Sequence, residues 1–147
     1  MTTANNDIPI LTVSATTERL ADVRDFVRAR LVGLGFTEIE EQGIVLAVDE
    51  ACSNLIRHAF QNDASKTFTV AVTATDADVR VEIRDMSPAF DPCCAGLPDM
   101  AAYFRDRRAG GLGILIMTRV MDDIDYHPSG NGTPFNTLVL TKHRSAR

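Results

Sequence analysis

Apolar residues recur along the chain with two different periods, and the places where the period changes divide it into elements. Over residues 16–34, Leu20, Val23, Val27, Leu31 and Leu34 keep the three-and-four spacing of a helix with one apolar face. Gly33 and Gly35 predict its stop. Thr37-Glu38-Ile39-Glu40 then reads as a capping box, in which a hydroxyl and the carboxylate three residues later close a helix start. The second helix runs to about Phe60, its stretch 44–60 spaced like a buried helix, and Gln61-Asn62-Asp63 ends it.

Beyond it the period drops to two. Phe68, Val70, Val72 and Ala74 share one face of a strand, and Val79, Val81 and Ile83 share one face of the next. Thr75-Asp76-Ala77-Asp78 is the turn between them, so the pair predicts an antiparallel hairpin. Thr69, Thr73, Arg80, Glu82 and Arg84 occupy the opposite faces, as in a sheet covered on one side. A short strand at 10–13 precedes the helices. Residues 88–111 are irregular and hold Pro88, Pro92 and Pro98, with a short helix at 99–104 and a charged loop at 105–108. A third helix is predicted over 112–121, then strands at 124–127 and 135–142 around a turn at 128–133. Strand, two helices, two strands, a loop with a helix and two strands predict an α+β sandwich, with helices on one face of a mixed, largely antiparallel sheet.

The length of 147 residues suits one domain with a real core, here 9–143 after a loose stretch at 1–8. Fifteen basic against 20 acidic residues give a net charge of −5, which argues against nucleic acid and against anionic membrane surfaces as partners. No run approaches the length of a membrane span, and the polar start, residues 1–7, lacks the layout of a signal peptide. A cytoplasmic protein is the expectation. Cys52, Cys93 and Cys94 form neither a disulfide framework nor a zinc spacing. Cys52 reads as a small core residue, and Cys93-Cys94 as a reduced pair.

Three segments carry candidate chemistry. In Asp49-Glu50-Ala51-Cys52-Ser53-Asn54, Glu50 and Asn54 are four apart and share a helix face. A carboxylate can take a proton from a nucleophile, and an amide oxygen can ligate a hard cation. Taken alone, the same spacing also fits a solvated helix face. In Asp85-Met86-Ser87-Pro88-Ala89-Phe90-Asp91-Pro92, an Asp at the mouth of a strand suits a ligand's amine, such as adenine N6, or the capping of its own turn. Gly110-Gly111-Leu112-Gly113 directly precedes a helix, where backbone N–H groups and the helix end favour an anion. It is neither the P-loop nor the dinucleotide pattern, and alone it also fits a hinge.

In this order and together, the segments resemble the anti-sigma-factor serine kinases of the GHKL ATPase superfamily, which have the Bergerat nucleotide-binding fold. Residues 46–54, closing in Arg57-His58-Ala59-Phe60, look like that family's N box. Residues 85–92 look like its first glycine-box motif, 110–113 like the second, and Asn136-Thr137-Leu138-Val139-Leu140 like its closing strand. The resemblance covers residues 10–142 and implies a two-layer sandwich that binds ATP and Mg²⁺. It implies Glu50 as general base, Asn54 as the Mg²⁺ ligand, and Asp85 as acceptor from adenine N6, with Thr137 supporting that contact. Gly110, Gly111, Leu112 and Gly113 would form the lid hinge and phosphate site. His58, one turn beyond Asn54, would face the same pocket or serve as a structural histidine. Arg105, Arg107 and Arg108 fall in the lid and suit phosphate contact or a solvated loop. Ser87 departs from the family, which has Gly there. At positive φ a Ser is strained, or its hydroxyl supports the base.

The expected function is an ATP-dependent serine/threonine protein kinase. It would phosphorylate a STAS-domain anti-anti-sigma protein and, in its other state, sequester a sigma factor, as a homodimer. The dimer surface would use the first strand and an apolar stripe of Leu20, Val23 and Val27, unless that stripe simply packs on the domain's own sheet. Two rivals are a non-catalytic binding module of the same fold and the ATPase half of a histidine kinase. Glu50 argues against the first, and the absence of a phosphoacceptor helix pair before residue 10 against the second.

Overall fold

A computed structural model describes residues 8–86, 117–130 and 132–144. Its elements are β1 (Ile10–Ser14), α1 (Leu20–Leu31), α2 (Glu38–Asn54), β2 (Thr67–Ala74), β3 (Asp78–Asp85), β4 (Asp123–His127) and β5 (Asn136–His143). Residues 117–120 are also helical.

The expected first helix begins as a 3₁₀ turn, Thr17–Arg19, and becomes α1 only at Leu20. Leu20, Val23, Val27 and Leu31 are all buried on its inner face. The apolar stripe thus packs on the domain's own core and leaves no surplus for a partner. Gly33, at φ 82°, turns the chain away in a conformation that a side chain would strain. At the start of α2 the capping box forms as read: Thr37 Oγ1 accepts from the Glu40 N–H at 3.1 Å, and Glu40 Oε1 accepts from the Thr37 N–H at 2.9 Å. The Thr37 backbone bond holds the Glu40 carboxyl below its ordinary value.

Beyond Asn54 the helix widens. Leu55–Ala59 form a π turn, with the Phe60 N–H bonded to the Leu55 carbonyl at 3.1 Å. Gln61 and Asn62, at φ 52° and 58°, then end it in the left-handed region.

The strands form one sheet in the order β1-β2-β3-β5-β4, with all four pairings antiparallel. Register carries one set of side chains inward across every strand. Val13 lies opposite Phe68, Val70 opposite Ile83, Val81 opposite Leu140, and Leu140 opposite Ile124. These residues and the inner faces of α1 and α2 form one hydrophobic cluster. The other sheet face carries Thr69, Arg80, Glu82 and Arg84, none of them fully buried, so the helices cover one face as the alternation predicts.

Two contacts fix α2 against its neighbours. Arg24 Nη1 meets Asp49 Oδ1 at 2.9 Å and ties α1 to α2; half exposed, such a pair contributes only about 0–1 kcal/mol and acts mainly on geometry. At Gly43 an added Cβ would lie 3.3 Å from both γ-carbons of Val120, so the helix ending there packs directly on the α2 backbone. Lys142 Nζ donates to the Val120 carbonyl at 2.9 Å and holds that helix end from the sheet. A large side chain has no room at this crossing. Gly43→Leu should therefore destabilise the protein by about 1–3 kcal/mol through overpacking. Chemical denaturation will measure this, and an unchanged midpoint would mean that the helix moves away freely.

Candidate functional site

Asp85 ends β3 on the strand's inward face, where the alternation calls for an apolar residue, and is only 6% exposed. A buried carboxylate is costly unless hydrogen-bonded. The register supplies its neighbours: Phe68 pairs with it on β2 and Asn136 on β5. Asn136 is 1% exposed, and its Nδ2 donates to Asp85 Oδ1 at 3.0 Å. The Asn136 Oδ1 in turn accepts from the Ser129 backbone N–H, in the β4–β5 connection, at 2.8 Å. Met86, the next residue, is exposed. The acid therefore sits at the rim of the core, at the end of the sheet where β3 leaves and β5 enters.

Thr137 is not the residue that supports Asp85. It pairs with Arg84 and so points to the opposite face of the sheet. There it lines a shallow depression with Arg80, Glu82, Asp125 and His127. Side chains of a strand alternate faces, so the partner of Asp85 has to share parity with Leu138 and Leu140. Asn136 does. That parity was readable from the apolar positions of β5.

Glu50 and Asn54 lie on the last turns of α2, both half-buried and four residues apart. Neighbouring Ala51, Cys52 and Ser53 face the core, so the acid and the amide stand at the core's margin. Asp49, beside Glu50, is engaged by Arg24. Burial, with the Asp49 charge adding to it, pushes the Cys52 thiol up; it is an inert core residue, as expected. His58 falls on the π turn and is exposed. Ser87, Gly110, Gly111, Leu112, Gly113, Cys93 and Cys94 lie outside the described residues.

Among the described residues no group of three or more His, Cys, Asp or Glu side chains could enclose a metal. Mg²⁺ does not require one, since it is commonly held by one or two protein oxygens plus substrate phosphates. The Asn54 amide oxygen and the Glu50 carboxylate are hard donors of that kind, so the residues fit it. No helix among the described residues is long and apolar enough to cross a membrane.

A profile of the histidine kinase-like ATPase domain matches residues 13–142. The chain belongs to that family. Within it the chain falls with the anti-sigma-factor serine kinases, and it is a protein-serine/threonine kinase with an ATP-binding domain. It is 30% identical to the serine/threonine-protein kinase BtrW of Bordetella bronchiseptica over 68% of each chain. It is 30% identical to the anti-sigma F factor of Bacillus licheniformis over 90% of this chain and 89% of the other. The serine-protein kinase RsbW of Bacillus subtilis is 25% identical over 95% of this chain and 90% of its own. In fold the chain resembles a crystal structure of the RsbU and RsbW domains of a Mycobacterium tuberculosis protein, with a TM-score of 0.59 at 21% identity. That match takes in 95% of this chain and 34% of the other.

A carboxylate accepting from adenine N6 makes a charge-assisted bond of about 1.5–3 kcal/mol. Asp85→Asn keeps an amide that can still pair with Asn136, so the fold should survive while ATP affinity falls by about tenfold or more. Calorimetry on the two proteins decides this, and equal affinities would leave Asp85 as a turn cap.

Proposed function

We propose that the protein is a cytoplasmic ATP-dependent kinase that phosphorylates a serine of a STAS-domain anti-anti-sigma protein. In its alternate state it binds and silences a sigma factor. The observation that carries this reading is the buried Asp85, held by Asn136 where β3 ends and β5 begins. Alternation calls for an apolar residue at that place, and an adenine amine gives a carboxylate a use there. The names of the relatives, a serine-protein kinase and an anti-sigma factor, support the same direction.

In this reading Asp85 accepts from adenine N6. The resemblance assigns the phosphates to Gly110, Gly111, Leu112 and Gly113 and a base contact to Ser87, all outside the described residues. Asn54 would hold Mg²⁺, which would neutralise charge on the phosphates when bound. Glu50 takes the proton of the substrate hydroxyl as the serine oxygen attacks the γ-phosphorus, and ADP leaves with the electrons of the broken P–O bond. Positioning and charge neutralisation meet most of the need of phosphoryl transfer.

Removing a general base costs about 10²–10⁴ in rate. Glu50→Ala should keep ATP affinity within a few-fold, while transfer of labelled phosphate to STAS proteins of the same genome falls by that factor. Wild type that transfers to none of them would instead favour a binding module without catalysis.

The homodimer reading rests on β1. It is an edge strand, and Ile8 and Ile10 are exposed along it, at 47% and 60%. Exposed edges of this kind invite pairing. Light scattering at micromolar concentration should give twice the chain mass, and Ile10→Lys should lower it. A monomer mass for the unaltered protein, with and without ATP, would overturn the dimer and leave the kinase reading standing.

A further inference from the structure

The Asn136 amide has its orientation set by something other than the ligand. The Ser129 backbone N–H can only donate, and it lies 2.8 Å from Oδ1. The Nδ2 end is therefore the one turned to Asp85 Oδ1, 3.0 Å away, which removes the usual ambiguity of an amide's two ends. The backbone of the β4–β5 connection thus fixes the amide, and the amide restrains the rotation of the Asp85 carboxylate. Both side chains are buried, so neither the amide nor the acid is loosened by water.

A carboxylate held in one rotation presents an acceptor in a fixed direction. A base with a 6-amino group satisfies it. A base with a 6-oxo group sets two acceptors against each other, and sites built to hydrogen-bond one group reject its replacement because buried polar atoms are left unpaired. On the reading that Asp85 receives the base, we propose that Asn136 is the positioning residue that sets selectivity for a 6-amino over a 6-oxo purine. It acts through Asp85, by preorganising the acceptor before the nucleotide arrives.

ATP and ITP differ at that position and are the probes, with affinities measured by calorimetry on the full chain. Asn136→Thr and Asn136→Val form the informative pair. Both are β-branched and suit a strand, they are close in size, and only Thr has a hydroxyl to donate to Asp85. Wild type should prefer ATP over ITP, and Asn136→Thr should keep most of that preference. Asn136→Val should lose about tenfold of it, chiefly through weaker ATP binding, with ITP affinity little changed. A purely structural role would weaken both nucleotides in parallel and leave the ratio alone. That result, or equal ratios for Thr and Val, would overturn the inference while Asp85 keeps its role. Wild type that binds ATP and ITP equally would overturn both.

Discussion

The buried pair of Asp85 and Asn136 is the constraint on which the rest of the molecule turns. A carboxylate on the inward face of a sheet is tolerated only with a partner, and the partner here comes from a strand 51 residues away in sequence. The β3–β5 register brings them together. A slip of one residue would exchange every inward side chain of β5 for an outward one. It would set Thr137 against Asp85 and take Leu138 and Leu140 out of the core. The apolar residues of β5 therefore enforce the polar contact: the hydrophobic register is what aims the amide.

The helical layer carries two other candidate residues, Glu50 and Asn54. Glu50 and Asn54 are held in place because α2 is fixed along its length. Its start is closed by Thr37 and Glu40, its flank is tied to α1 through Asp49 and Arg24, and its crossing with the helix at 117–120 is set by Gly43. The widened turn releases the chain from α-helical geometry just beyond Asn54. Glu50 and Asn54 thus keep the relation that the regular helix imposes on residues four apart.

Much of this was legible in the sequence, for physical reasons that differ between elements. The α1 stripe, the capping box and the β2–β3 hairpin are local patterns whose period or chemistry determines their form, and each formed where it was read. The single covered face followed from strict alternation, while the sheet, expected to be mixed, is antiparallel in every described pairing. Asn136 was passed over because the resemblance assigned the supporting contact to Thr137. Alternation from Leu138 and Leu140 already placed Thr137 on the other face. The π turn was not legible, since residues 55–60 have spacing compatible with an α-helix and only tertiary packing selects the wider turn. Whether the α1 stripe left any surplus was open in the sequence: periodicity tells which face is apolar, but not how completely another layer will cover it.

The most direct test of the account is a crystal structure of the protein with ADP and Mg²⁺. The account predicts adenine N6 at about 3 Å from the Asp85 carboxylate, with Asn136 still donating to that carboxylate from the other side. A base bound elsewhere, or an Asp85 carboxylate turned away from it while Asn136 and Asp85 remain paired, would contradict the claim that this buried pair exists to receive the nucleotide.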